Sequence, residues 1–203
     1  MLQIRSVTPD TLELLKKLQS MPELAETRLV GGTALALLLG HRLSIDLDLF
    51  GKIDQEIITR ALQEKMFDDF VILSESKVIK HYVINDVKVD IVKYDYYPWI
   101  EDMIVEDGIR LAGLKDIAAM KIAAITNRGS KKDFIDLFFL LKQFSMSEIL
   151  EFYQTKYHDI EIRMAIFSLT YFVDADADDM PKMLIPTKWS DIKNRIIAEV
   201  KKL

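Results

Sequence analysis

Asp46 and Asp48 stand two residues apart in Ser44-Ile45-Asp46-Leu47-Asp48-Leu49-Phe50, alternating with Ile45, Leu47 and Leu49. In a strand, side chains two apart leave the same face, about 7 Å apart along the backbone. The spacing therefore predicts a half-buried strand over 44–50, with both carboxylates on one face and an apolar face behind them. Two hard-oxygen donors so placed suit a magnesium ion that also binds substrate phosphates. A bare Asp-x-Asp is more often a pair of solvated positions on an edge strand, so its surroundings decide its meaning. Just upstream, Gly31-Gly32-Thr33 joins a short strand at 28–30 to a small apolar helix reaching about residue 39. Backbone N–H groups at a helix start can receive a phosphate. The glycines allow close approach and Thr33 is a candidate helix cap, although the same turn also serves as a plain strand-to-helix connection. It lacks the Gly-Lys-Ser/Thr of a P-loop and the Gly-x-Gly-x-x-Gly of a dinucleotide site. A third carboxylate, Asp90, lies in 87–92, where Val87, Val89 and Ile91 share one face and Lys88 and Asp90 the other. If that strand lies beside the Asp46 strand, Asp90 completes a triad as a metal ligand or as the base for an attacking hydroxyl. The competing reading is a surface acid in a hairpin.

The elements that would position these groups follow from periodicity. Pro9-Asp10-Thr11, followed by Leu12, Leu14, Leu15 and Leu18, predicts a capped amphipathic helix. Ile57, Ile58, Ala61 and Leu62 predict a helix over 54–66. Strand-like runs cover 70–73, 78–84 and 87–92, the last two joined by Asn85-Asp86, a hairpin turn without the preferred glycine. Beyond Leu114 the pattern is helical, over 114–127, 132–144, 147–157, 160–172 and 188–202. This is an α/β (α+β) chain with a small mixed sheet in residues 1–105 and a helical region in 106–203.

With 203 residues, half of them hydrophobic, the chain fits one domain or one core with a helical appendage. The absence of cysteine excludes disulfides, thiolate metal sites and a cysteine nucleophile, and suits a reducing cytoplasm. The N-terminal residues lack the apolar stretch of a secretory signal. The longest apolar run, 34–39, is too short for a membrane span. The net charge of −5 argues against a broadly basic nucleic-acid surface. His41, His81 and His158 show no zinc spacing. The acidic run 174–179 has Asp179 and Ile185 where a calcium loop needs glycine and glutamate, and reads as a solvated loop. Arg128-Gly129-Ser130-Lys131-Lys132 is a basic turn able to grip triphosphate or RNA backbone, or simply a charged interhelical loop.

The segment from Leu29 to Phe50 resembles the opening motif of the AbiEii-type nucleotidyltransferases, which include toxins of abortive-infection toxin–antitoxin systems. Lys121, followed by Lys132-Asp133-Phe134-Ile135-Asp136-Leu137, is similar to that family's second signature. The two motifs span roughly residues 28–142, and the chain beyond Tyr157 adds little to the likeness. The resemblance implies a polymerase-β-like core with magnesium or manganese on Asp46 and Asp48, joined on strand logic by Asp90. It implies Lys121 and Asp136 as a further active-site pair, and nucleotide contacts from Gly31, Gly32, Thr33, Ser44, Lys121 and Lys132. Arg42 and Ser44 match the family's Arg-x-Ser lead, which makes Ser44 a candidate for regulation as well as a simple hydroxyl at the start of a strand. Asp133 and Asp136 are helix neighbours, and an apolar stripe of Phe134, Leu137, Phe138 and Leu141 leaves Asp136 at its margin. Lys121 is flanked by Ile117, Ala118, Met120, Ile122 and Ala124 and needs a partner there.

The function implied is metal-dependent transfer of a nucleoside monophosphate from a nucleoside triphosphate to nucleic acid (tRNA, for example) or a protein hydroxyl. The protein would be a cytoplasmic toxin, without membrane attachment, paired with a cognate antitoxin. The alternatives are a nucleotide-binding module without turnover, and an antibiotic-type small-molecule transferase. The acidic composition favours the latter, and the Lys-Asp-x-x-Asp-Leu motif disfavours it.

Overall fold

Apolar alternation builds a single sheet whose strands come from both ends of the α/β half. The computed structural model describes every residue except 65, 66, 68 and 69. Helix α1 (Pro9–Gln19) starts at a Thr8 cap with Pro9 in its first turn and buries Leu14, Leu15 and Leu18. Next come β1 (Thr27–Val30), α2 (Gly31–Leu39), β2 (Leu47–Gly51) and α3 (Gln55–Glu64). The last two residues of the helix expected over 54–66 lie outside the described residues. Strands β3 (Phe70–Glu75), β4 (Ile79–Ile84) and β5 (Val87–Lys93) form a meander, and β6 (Ile104–Glu106) and β7 (Ile109–Leu111) a hairpin. The sheet order is β3-β4-β5-β2-β1-β7-β6. β2 runs antiparallel to β1 but parallel to β5, and β7 lies parallel to β1 through Leu29↔Leu111.

Helices α4 (Leu114–Asn127), α5 (Lys131–Leu140), α6 (Met146–Lys156), α7 (Ile162–Ser168), α8 (Val173–Ala177) and α9 (Trp189–Val200) follow. Buried side chains of the sheet and of these helices form one continuous core. Among the described residues, no helix is long and apolar enough to cross a membrane.

Four expectations change. The strand carrying the aspartates starts at Leu47, not residue 44, because Ser44 N–H bonds the Ser6 carbonyl instead of a sheet neighbour (2.9 Å). Ile45 therefore lies beyond the ladder and is 57% exposed, whereas Leu47 and Leu49 are buried. The β6–β7 hairpin carries the sheet past residue 105; its turn, Asp107-Gly108, has both φ angles positive (53° and 76°). The acidic run is not a solvated loop: it holds the short α8, Asp176 binds Lys193 and the Trp189 indole, and Asp178 accepts the Lys131 N–H at the start of α5. Asp136 is not at a helix margin. On α5 only Lys132 is exposed, and both Asp133 and Asp136 are fully buried.

Candidate active site

The site lies where β1 turns into α2 against the start of β2. Gly31 adopts φ 69°, and a Cβ there would collide with Asp48 Oδ2; a Cβ on Gly32 would collide with the Arg42 guanidinium. Glycine lets the backbone approach both charged groups. Thr33 does not cap α2, which has no side-chain cap. Its hydroxyl instead pairs with the Ser44 hydroxyl (2.9 Å) and donates to the Asp46 carbonyl, fastening the loop that carries the carboxylates.

Register brings the acids together. Val30, Asp48 and Asp90 lie side by side on β1, β2 and β5. Asp46 stands just before β2 at the mouth of the cleft, its side chain 42% exposed and its Oδ2 3.6 Å from Lys132 Nζ. Asp48 is half-buried; desolvation, then the Asp90 charge, push its carboxyl up to about 6. Asp90 Oδ1 bonds His81 Nδ1 at 2.8 Å, while Lys88 Nζ lies 3.5 Å from its Oδ2.

Behind the cleft, Arg42 donates to both oxygens of Asp136 (2.7 and 2.8 Å), and His41 Nε2 bonds Oδ1 (2.8 Å). Lys121 reaches Asp136 at 2.6 Å and Asp133 at 3.1 Å. Asp133 also accepts from Arg128 (2.9 and 3.0 Å) and Ser130 (2.7 Å). Burial alone would lower the Lys121 ammonium, but the charges of Asp136 and Asp133 outweigh it and hold it above its ordinary value. Burial likewise opposes ionised Asp136, yet Arg42 and Lys121 keep its carboxyl well below the usual range. His41 is lowered by burial, against the pull of Asp136, and its Nδ1 has no hydrogen-bond partner among the described residues.

One cleft is lined by Gly32, Thr33, Ser44, Asp46, Asp48 and Asp90, with Arg42, Lys88, Lys121, Arg128 and Lys132 contributing five cationic groups. Gly31 adjoins it at Asp48. Asp136 is not among the residues that line it, but it binds two that are, Arg42 and Lys121. His41 and His81, which show no zinc spacing, each hold a carboxylate of this region, and Arg42 and Arg128 bind the buried aspartates of α5. A signal for His81 existed. A two-residue turn at 85–86 pairs Ile84 with Val87 and hence His81 with Asp90.

A glycine turn facing strand carboxylates across a mixed sheet defines the class: a polymerase-β-like nucleotidyltransferase fold. Similar folds are MenT4, the nucleotidyltransferase toxin Rv2826c of Mycobacterium tuberculosis H37Rv (TM-score 0.61, 12% identity, 96% of this chain and 82% of that one), and JHP933 of Helicobacter pylori (TM-score 0.58, 20% identity, 97% and 93%). The antibiotic-resistance factor ANT(2'')-Ia is also similar (TM-score 0.55, 13% identity, 71% and 88%). The family described as nucleotidyl transferase AbiEii toxin, type IV toxin–antitoxin system, matches residues 13–202. The chain belongs to that family and is a nucleotidyltransferase. An uncharacterized Aquifex aeolicus (strain VF5) protein, aq_aa25, is 35% identical over 188 residues, covering 85% of this chain and 86% of its own.

The family match runs well past Tyr157, and the structure supplies a reason. The C-terminal segment pairs with the loop leading into the aspartates, through Leu43 N–H to the Lys182 carbonyl (2.9 Å), Leu184 N–H to the His41 carbonyl (2.9 Å) and an Arg42↔Met183 bridge. It thereby holds Arg42 in line with Asp136.

Proposed function

We propose that this protein transfers a nucleoside monophosphate from a nucleoside triphosphate to a hydroxyl of nucleic acid or protein, as the toxin of a toxin–antitoxin pair. The observation that carries the proposal is the convergence of Asp46, Asp48 and Asp90 with five cationic side chains in one cleft beside Gly31-Gly32.

The acids fit a divalent cation such as magnesium or manganese. They are hard-oxygen donors, and Asp48, raised first by burial and then by the Asp90 charge, is a carboxylate whose negative charge a cation would offset. Among the described residues, no three His, Cys, Asp or Glu side chains form a metal cage. Asp46 and Asp48 would hold the ion as a pair, in the manner of magnesium sites completed by substrate phosphates and water. When bound, the ion would supply Lewis-acid stabilisation of the phosphates.

The residues do the rest. Lys121, Arg128 and Lys132 neutralise the triphosphate. The acceptor oxygen attacks the α-phosphorus, the bond to the oxygen bridging the β-phosphorus breaks, and pyrophosphate departs with that electron pair. The acceptor proton passes to Asp90 Oδ2, the oxygen that His81 does not bond and that Lys88 Nζ faces at 3.5 Å. Ser44, tied to Thr33, helps to shape the phosphate end, and Asp136 positions Lys121.

The test is label transfer from α-labelled ATP, GTP, CTP and UTP to RNA and to protein, with magnesium or manganese. Label should reach one acceptor class and vanish with Asp46→Ala. Transfer from no nucleotide, together with growth arrest that survives Asp46→Ala, would refute the proposal.

A further inference from the structure

Asp48, Asp90 and His81 form one row across three neighbouring strands, because β5 pairs Asp90 with Asp48 on one side and with His81 on the other. Strand alternation puts His81 on the cleft face of β4. Its neighbours Lys80 and Tyr82 are buried on the opposite face, where both bond Thr59 of α3 (3.0 and 2.9 Å). His81 is not among the residues that line the cleft. Its side chain is 30% exposed, and its Nδ1 lies 2.8 Å from Asp90 Oδ1.

We infer that His81 is a positioning residue for transfer: it fixes the Asp90 carboxylate so that Oδ2, not Oδ1, meets the acceptor hydroxyl. The inference rests on the reading of Asp90 as the base. An ionised carboxylate only accepts hydrogen bonds, so the ring presents its hydrogen on Nδ1. Without that bond the carboxylate is poorly held. Asp48 and Asp90 repel each other. Lys88, 3.5 Å from Oδ2 and half-exposed, is a point charge on a long flexible stem that sets no single direction. The imidazole is short, planar and carried by a central strand, so it imposes one. In the step itself the acceptor O–H bond breaks, its proton passes to Oδ2, and its electron pair forms the bond to the α-phosphorus. His81 takes no proton; it acts only through Asp90.

Substitutions at this position separate orientation from simple support of the sheet. His81→Asn returns an amide N–H at the place of Nδ1, His81→Gln moves it one bond further out, and His81→Leu fills the space without a donor. In label transfer at saturating magnesium, His81→Leu should lower kcat roughly 10–100-fold, the scale for losing a partner that orients a reacting group. Nucleotide KM should stay within about twofold, since nucleotide binding is untouched. His81→Asn should recover to within about threefold of wild type, and His81→Gln should not. A second measurement needs no turnover. In alkaline, metal-free buffer, nitrogen-15 spectra of the three histidines should show His81 with its hydrogen on Nδ1, and Asp90→Ala should release it to Nε2.

The inference is overturned if His81→Leu transfers label at the wild-type rate, or if His81→Asn falls as far as His81→Leu. It is also overturned if the His81→Leu rate recovers as magnesium is raised, which would make Asp90 a ligand of the ion, or if wild-type His81 carries its hydrogen on Nε2. Wild-type transfer by Asp90→Asn would instead refute the base reading itself.

Discussion

Asp136→Asn is the most direct test of the charge balance behind the cleft. The carboxylate is fully buried and is the shared partner of Arg42, Lys121 and His41. Asparagine keeps the shape but removes the charge, and it turns an amide donor toward groups that are themselves donors. Removing one member of a buried ion pair costs about 3–5 kcal/mol, because the other is left uncompensated. Lys121 keeps Asp133 at 3.1 Å, so the low end applies, about 3 kcal/mol. For a domain of this size each kcal/mol lowers Tm by roughly 2–4 °C, a fall of about 6–12 °C. Urea unfolding and calorimetry at pH 7 would measure it. The sign with pH is also set. Asp136 has a depressed carboxyl, so its contribution is present above the unfolded value near 4 and lost as pH falls through the folded value. The difference between wild type and variant should therefore be flat from about pH 5 to 8 and shrink only in acid. A variant within about 1 kcal/mol of wild type at pH 7 would refute the buried-network reasoning.

Other outcomes test the cleft itself. The Asp48 carboxyl is raised to about 6, so its neutral form favours folding, and that contribution is lost as pH rises from about 4 through 6. In metal-free buffer at pH 7.5, Asp48→Asn should melt above wild type, with the gap closing below about pH 4 and reversing at pH 7.5 when magnesium is added; equal melting at every pH would contradict it. Gly31→Ala places a Cβ against Asp48 in a left-handed conformation and should cost at least about 1 kcal/mol and most nucleotide binding, read by unfolding and titration. Lys132→Ala breaks only a half-exposed pair with Asp46. Stability should stay within about 0.5 kcal/mol, while tripolyphosphate affinity falls and loses part of its salt dependence.

What was legible in the sequence was local. The Asp46/Asp48 alternation, the glycine turn and the span of α4 depend on neighbours within a few residues, and each element forms where they point, although the strand begins at Leu47 and not at residue 44. The parallel pairing that sets Asp90 beside Asp48 does not, because α3, β3 and β4 intervene between the two strands. Two hairpins lay closer to hand. Asn85 and Asp86 both take positive φ (49° and 61°) without glycine, and Asp107-Gly108 is a two-residue turn with the preferred glycine in second place. The full burial of Asp136 is illegible for a different reason. Periodicity assigns a charged residue to solvent, and so it set Asp136 at the edge of its helix. Yet Lys121 sits among Ile117, Ala118 and Ile122, and Asp136 among Phe134, Ile135 and Leu137. A charge enclosed by an apolar period must find an opposite charge similarly enclosed, since neither can be desolvated alone. That rule pairs Lys121 with Asp136 from sequence. It also demands a second cation, because Asp133 and Asp136 are both buried on α5; Arg42, between a helix that ends at Leu39 and a strand that begins at Leu47, is the residue that meets the demand.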